Sequence, residues 1–304
     1  MLNFFAYCAL WKDVAVKMLY LVLAVIAGTA KGFCGKKLSG HVNSISESAA
    51  ANIIRMIICC VIGAAMAFVK RESFALTPAE LAISVFSGIS MAVFLISWLI
   101  SAKSGAYMMI NAVTTAAFIV NMVFGFFVFG ESISIKQIFS VIFIIAAIAF
   151  LLRYSSDTKE KLKASDYVLL AVVFLSQGFT NVAQKMFTAW APDGSKVIFN
   201  FYTFLITLAV LCIAMPFLAG KEKKVKLDFK KCIPYIAVMA AMLFANSYFL
   251  TAATEVLPSV ILFPLSSVLS LAAATVMAAV FFGEKITKTS AAGIVCTVIS
   301  VLLS

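Results

Sequence analysis

Three basic side chains lie inside long apolar stretches of this chain, where charges are rare: Lys31, Arg55 and Lys185. A charge in such a stretch is costly unless it faces protein, water or an ion of opposite sign. We therefore predict that these side chains, Lys31 and Arg55 above all, contact a carboxylate or phosphate group of a small molecule. The alternatives for Lys31 and Arg55 are an internal ion pair or a side chain that extends toward the end of its segment. For Lys185, which lies about two helical turns from the end of its segment, such extension is the simpler interpretation.

Uncharged polar residues form stripes in several of the same apolar stretches. Two stripes share the helical spacing i, i+4, i+7 and i+8, which places each on one helix face: Gln177, Asn181, Gln184 and Lys185 in one, and Ser247, Thr251, Thr254 and Glu255 in the other. Together with Lys31 and Arg55, the residues predicted to line one polar cavity and bind a small molecule are Trp98, Asn111, Thr114, Gln177, Asn181, Lys185, Ser247, Thr251 and Ser267. The alternative for any single Ser or Thr is a hydrogen bond to its own helix backbone or to a neighbouring helix.

Glu255 is the one acidic group close to these polar faces. We predict it as a candidate carrier of a coupling proton, and a carboxylate in water at a helix end is the alternative. No catalytic residue, metal ligand set or cofactor motif is predicted. The single histidine, His41, is placed in a loop, and no His/Asp/Glu cluster or Ser-His pairing has the spacing of a metal site or a catalytic triad.

The tripeptide Phe-Gly-Glu occurs twice, about half the chain length apart, and each copy closes one apolar stretch just before the next. A glycine can end a helix in the left-handed conformation, and a carboxylate is favourable near a helix start. We therefore interpret Gly130, Glu131, Gly283 and Glu284 as structural turn residues.

The stretches that must position these residues are membrane spans. Apolar residues make up 63% of the 304 residues and charged residues only 12%, whereas a soluble domain is nearer half apolar and a quarter charged. The pattern predicts an all-α integral membrane protein with ten spans. They cover roughly 17–35, 48–69, 79–102, 106–129, 135–153, 166–190, 196–219, 231–252, 257–282 and 288–304. The net charge of +11 is assigned to the connecting loops, so nucleic acid is not predicted as a partner.

The two Phe-Gly-Glu copies divide the chain into two five-span repeats, 1–153 and 166–304, joined by a linker loop at 154–165. Because five is odd, the second repeat must cross the membrane in the opposite sense to the first. Such inverted repeats place a binding site near the bilayer midplane between the halves. We predict a cavity lined by spans one to four and six to nine, with spans five and ten as outer supports.

Ten spans in two halves, with Phe-Gly-Glu at the ends of spans four and nine, resemble the drug/metabolite transporter superfamily in its EamA-like branch. The resemblance implies a secondary carrier that works by alternating access, an exporter of a small metabolite such as an amino acid or an organic anion. A lipid or lipid-linked sugar flippase on the same fold is the main alternative, and a membrane enzyme or a channel ranks lower. The family resemblance also implies a protein of the plasma membrane (the inner membrane in a bacterium) that is a monomer or a homodimer. Its surroundings are the lipid bilayer.

Membrane orientation stays open at this point. The resemblance implies cytoplasmic termini, but most Lys and Arg residues outside the spans fall in loops on the side opposite the N-terminus. Basic loops normally face the cytoplasm, which would place both termini outside.

Overall fold

The computed structural model of the chain describes residues 2–104, 107–130, 134–158, 163–219, 228–256 and 259–303. Side chains are described in these ranges except at 2–18, 103, 104, 108, 137, 154–158, 219, 254–256, 259–265, 267 and 268. The regular structure in these ranges is helical: α1 (Leu2–Ser39), α2 (Ile45–Lys70), α3 (Pro78–Ser104), α4 (Tyr107–Ala116), α5 (Phe118–Phe129), α6 (Ile135–Thr158), α7 (Ala164–Trp190), α8 (Lys196–Ala219), α9 (Phe229–Val256), α10 (Ser259–Phe282) and α11 (Lys288–Leu303).

These helices form the ten predicted spans, because α4 and α5 together make the fourth. Seven spans among the described residues are long and apolar enough to cross a membrane by themselves, and three shorter apolar helices lie in α6, α10 and α11. The fourth span is interrupted at Ala117, whose N–H donates to the carbonyl of Thr114 at 3.3 Å. The Thr114 hydroxyl in turn donates to the carbonyl of Ile110 at 2.8 Å, and this type of bond bends helices.

Several helix ends differ from the predicted boundaries. The first helix begins at Leu2, well before the predicted residue 17. Both helices that flank the predicted linker extend into it, since α6 continues to Thr158 and α7 begins at Ala164. The lysine-rich segment 220–227 lies outside the described residues.

Local sequence signals account for many of the helix ends. At the start of α2 the Ser44 hydroxyl accepts the N–H of Glu47 at 3.2 Å, and the Glu47 carboxylate accepts the N–H of Asn43 at 2.7 Å. Thr77 and Glu80 make the corresponding reciprocal bonds at the start of α3. At the C-terminal ends of α5 and α10, Gly130 and Gly283 follow in the left-handed conformation, with φ of 65° and 63°.

The packing of the helices follows the repeat. Helix α1 of the first half packs on α9 of the second, and α3 of the first half packs on α7 of the second. Exchanging the two halves converts one of these contacts into the other. Three further pairs map onto themselves under the same exchange: α2 with α8, α6 with α11, and α4 with α10. The fold is therefore two inverted five-span repeats whose closest contacts run between the halves, and the space between them contains the polar cavity.

Candidate functional site

A cavity of about 200 Å³ lies between the two halves. Its walls come from α1, α2, α3, α4, α5, α7, α9 and α10, while α6, α8 and α11 contribute nothing to the described lining. The seventh span, α8, was expected to line the cavity and does not do so among the described residues. Its polar lining consists of Thr29, Lys31, Arg55, Trp98, Tyr107, Asn111, Thr114, Thr115, Asn121, Gln177, Asn181, Asn246, Ser266 and Ser270. Apolar side chains, among them Phe94, Phe118 and Leu250, complete the wall.

One part of the lining is positively charged. Lys31 from α1 and Arg55 from α2 both line the cavity, and no Asp or Glu stands among the lining side chains that the structure describes. Arg55 is buried at 4% exposure, although a buried charge without a counter-charge is costly. An excess of positive charge at a site of this kind matches an anionic ligand.

Arg55 is held from one side only. One of its terminal nitrogens donates to the side-chain oxygen of Asn52 at 3.2 Å. The amide nitrogen of Asn52 donates to the carbonyls of Ser48 on α2 and Leu95 on α3 at 2.9 and 3.2 Å, so backbone carbonyls of both helices fix its orientation. The Nε of Arg55 has no hydrogen-bond partner among the described residues. The guanidinium therefore retains an unused, buried donor beside the cavity.

The remaining lining is rich in side-chain amides. Gln177 donates to Asn181 at 2.8 Å along α7, and Asn111 donates to the carbonyl of Tyr107 at 2.8 Å. Asn246 of α9 donates to the carbonyl of Ala24 on α1 at 2.7 Å. Amides offer both donors and acceptors, so this part of the wall can bind hydroxyl, amide or ammonium groups.

Three glycines of α1 make room for cavity side chains. A Cβ at Gly28 would lie 3.1 Å from the amide nitrogen of Asn246, and one at Gly35 would lie 2.7 Å from the Trp98 ring. A Cβ at Gly32 would collide with the Tyr107 hydroxyl. The glycines thus seat one side chain each from α9, α3 and α4 against the α1 backbone.

Tyr107 joins the cavity to the Phe-Gly-Glu turn of the second half. Its ring is buried and packs edge-on against Phe282 at 5.3 Å between centroids, and its backbone N–H donates to the Glu284 carboxylate at 2.8 Å. Glu284, itself 6% exposed, thereby caps the start of α4. The sequence interpretation placed Glu284 at the turn before its own following helix and did not anticipate this hydrogen bond to the other half.

Seven of the predicted binding residues are brought together in this cavity: Lys31, Arg55, Trp98, Asn111, Thr114, Gln177 and Asn181. Three others are placed elsewhere and correct the prediction: Lys185, Ser247 and Thr251. The side chains of Ser267 and Glu255, and all of Glu131, lie outside the described residues.

The contacts of Lys185, Ser247 and Thr251 account for their places outside the described cavity lining. The ammonium of Lys185 lies 4.9 Å from the centre of the Phe129 ring, a cation–π contact away from the cavity. The Thr251 hydroxyl donates to the carbonyl of Ser247 at 2.8 Å, and both residues are buried against protein. The cavity face of α9 is instead formed by Met239, Asn246 and Leu250.

Asn246 and Tyr107 are the main lining residues that sequence reasoning missed. Asn246 was the one side-chain amide in its apolar segment, and that rarity was an available signal. Tyr107 gave none, because tyrosine is common at span ends. Among the described residues, no three His, Cys, Asp or Glu side chains are grouped as a metal site requires.

Comparisons with known proteins agree with this architecture. The family model described as "EamA-like transporter family" matches the chain twice, over residues 16–153 and 164–304. No curated protein matches the chain. The solved structures include 26 matching chains. One of them, described only as a crystal structure of a protein, aligns over 92% of this chain and 97% of its own, with a TM-score of 0.53 and 11% identity, and so shows the fold alone.

Members of the matched family are membrane transporters rather than enzymes, and both repeats of the family model fall on the two halves of this multi-pass membrane protein. With nearly the whole chain matched, this protein belongs to the EamA-like transporter family of the drug/metabolite transporter superfamily.

Proposed function

We propose that this protein is a secondary carrier that exports a small organic anion across the plasma membrane by alternating access. The observation that carries the proposal is the pair of cations, Lys31 and Arg55, in one cavity between the halves, with no acidic side chain among its described lining residues. The direction, export, follows the family resemblance.

The state of Arg55 supports an anionic substrate. Its Nε donor is buried and without a partner among the described residues, although the neighbouring terminal nitrogen is bound to Asn52. A carboxylate or phosphate can accept two parallel hydrogen bonds from one guanidinium. Binding would therefore satisfy a donor and neutralise a charge that the described lining residues leave without a partner.

The size and the remaining lining narrow the class. Ligand cavities commonly measure about 300–1,000 Å³, so a cavity of about 200 Å³ favours a small molecule over a nucleotide sugar. The amides of Gln177, Asn181 and Asn246 suit hydroxyl groups, or the ammonium group of an amino acid. A small hydroxylated organic acid or an amino acid fits these features.

The inverted repeat supports alternating access. A site shared by two inverted halves can be exposed to either face when one half rocks against the other, because exchanging the conformations of the two halves converts an inward-facing state into an outward-facing one. The cavity draws Lys31, Arg55 and Trp98 from the first half and Gln177, Asn181 and Asn246 from the second.

Ligand-induced stabilisation tests the proposal directly. The purified protein is heated with organic acids, amino acids, nucleotide sugars or lipid-linked sugars, and a specific ligand raises the unfolding temperature by mass action. We expect small carboxylates to stabilise it, and the best of them to be accumulated by proteoliposomes against their gradient. Stabilisation by lipid-linked sugars alone would favour the flippase alternative and overturn the proposal.

Arg55→Met and Lys31→Met separate binding from folding. Without ligand, Arg55→Met should unfold at a higher temperature than wild type, since a buried charge without a counter-charge is costly and an apolar side chain of similar length removes that cost. Both variants should lose the stabilisation by carboxylates and the transport of them. Lys136→Met, at an exposed position on α6, is the matched control and should behave as wild type. Unchanged carboxylate binding in both cavity variants would refute the anion assignment.

A further inference from the structure

A second, apolar groove opens on the outside of the helical bundle between α6 and α7. It has a volume of about 400 Å³. Val141, Ile145, Ile148 and Leu152 line it from α6, Tyr167, Leu170, Ala171 and Phe174 line it from α7, and Val113 and Ile119 form its floor. Ile145, Tyr167 and Ala171 are exposed, so the groove is open along its length.

The groove exists because consecutive helices diverge. The main packing partner of α6 is α11, whereas α7 packs on α3, and both touch α4. The α6 side chains recur at a helical spacing from Val141 to Leu152, so they form one continuous face. In the membrane this face can be covered only by lipid or by another apolar surface.

The length of the groove matches one lipid tail. The α6 face from Val141 to Leu152 covers roughly 16 Å at about 1.5 Å per residue. One leaflet of the hydrocarbon core is about 15 Å thick. A single acyl chain entering at one end would therefore fill the groove and end near the bilayer midplane.

The end of the groove at the membrane boundary is positively charged. Arg153 follows Leu152 directly, Lys163 precedes α7, and both are exposed. Tyr167 lies one helical turn further into α7, where an aromatic side chain suits the headgroup level. Among the side chains that the structure describes here, Asp166 is acidic, and its carboxylate accepts the backbone N–H of Lys163 at 2.8 Å. The two cations lie beside the groove entrance, where a headgroup phosphate would be.

We propose that the α6–α7 groove binds one acyl chain of an anionic phospholipid, whose phosphate lies at Arg153 and Lys163. The floor of the groove gives this site a position of interest. Val113 and Ile119 stand on either side of the break at Ala117, and Thr114, Thr115 and Phe118 between them line the polar cavity on the opposite face of the same span. The bound chain packs against the one span that is interrupted.

Native mass spectrometry of the purified protein with phosphatidylglycerol or phosphatidylcholine of identical chains tests the site. Wild type should retain one tightly held phosphatidylglycerol in preference to phosphatidylcholine. Ala171→Trp places an indole in the groove and should weaken that retention at least tenfold. Ala65→Trp, the same change at an exposed position on α2, is the control and should retain lipid as wild type does.

The double change Arg153→Gln with Lys163→Gln tests the headgroup separately. It should abolish the preference for phosphatidylglycerol while an acyl chain still binds. Equal retention by wild type and Ala171→Trp would overturn the proposal. So would a loss of dimers in Ala171→Trp with unchanged lipid, because the groove would then be an interface between two copies of this chain.

Discussion

The α1 glycines make room for side chains that line the polar cavity. Gly32 faces the hydroxyl of Tyr107, and Gly28 and Gly35 face Asn246 and Trp98. Small residues on one helix face commonly allow two helices to approach closely. In the structure they admit individual side chains, so each glycine sets the position of one part of the cavity wall.

Gly32→Ala should therefore damage the cavity through a single atom. The new methyl group collides with the Tyr107 hydroxyl but lies 3.5 Å from the ring carbon that carries it, which is ordinary contact. We expect a loss of stability of about 1–3 kcal/mol from the overpacking, with at least tenfold slower transport. Thermal unfolding and proteoliposome uptake measure the two effects.

Removing the hydroxyl should reverse the damage. Gly32→Ala combined with Tyr107→Phe should recover most of the stability lost in the single variant. Gly40→Ala, in an exposed position where the nearest atom is 3.4 Å away, should be close to neutral. A double variant as unstable as Gly32→Ala would show that the collision is not with the hydroxyl.

Between elements, the cap that Glu284 places on α4 joins the second half to the first. The first N–H groups of a helix have no partner within the helix, and here the Tyr107 N–H finds a carboxylate from the second half. The cap also fixes where α4 begins. Because Tyr107 lines the cavity, the turn after α10 helps to position one part of the cavity wall. Glu284 itself is not among the described lining residues.

Glu284→Ala should cost about 1–3 kcal/mol, the usual consequence of leaving a buried N–H unpaired. Glu284→Gln keeps an acceptor and loses only the attraction between charge and helix dipole, about 0.3–1 kcal/mol. The unfolding temperature should be highest for wild type, lower for Glu284→Gln and lowest for Glu284→Ala. Hydrogen exchange at the Tyr107 amide should be faster in Glu284→Ala than in wild type. Asp193→Ala, at an exposed position, serves as the control. Equal stability of wild type and Glu284→Ala would contradict the capping role.

The sequence predicts the membrane-spanning helices better than it predicts which side of each helix faces the cavity. About twenty consecutive apolar residues announce a span, so the ten spans follow from the sequence. The rotation of α9 about its own axis does not follow from the sequence. Asn246 lies on one polar face of this helix, and Ser247 and Thr251 lie on another, one residue away. The contact of Asn246 with Gly28 and the Ala24 carbonyl selects between them. Likewise, nothing local in Phe-Gly-Glu points to a partner in α4.

At the scale of the whole molecule, the helix pairs that map onto themselves divide into those with a helix in the cavity wall and the one without. Arg55 lies on α2, which packs on α8 of the other half, whereas α6 and α11 pack together outside the cavity lining. If the halves rock, we expect the α6–α11 pair to stay together as the support and the α2–α8 pair to move apart.

Two engineered disulfides distinguish these pairs. A Cβ at Gly63 would lie 3.3 Å from the Cβ of Phe201, close to the range of about 3.5–4.5 Å in disulfides. The buried hydroxyls of Ser140 and Ser300 lie 3.2 Å apart. With the seven native cysteines replaced, Gly63→Cys with Phe201→Cys should lose transport on oxidation and regain it on reduction.

The second pair, Ser140→Cys with Ser300→Cys, should transport equally well in both redox states. Gel mobility after mild digestion between the halves reports whether each disulfide has formed. Full transport with the α2–α8 disulfide closed would rule out movement between those helices, and arrest by the α6–α11 disulfide would reverse the assignment of the support.

The cap on α4 also has a consequence for how the protein is made. The carboxylate that satisfies the Tyr107 N–H is encoded 177 residues later, and ribosomes add about 5–20 residues per second, so the two are separated by roughly 10–35 s of synthesis. During that interval the first half is already in the membrane with α4 uncapped. Its fourth span can therefore take its final form only after the ninth has been inserted, which makes the last part of the chain a check on the completion of the first.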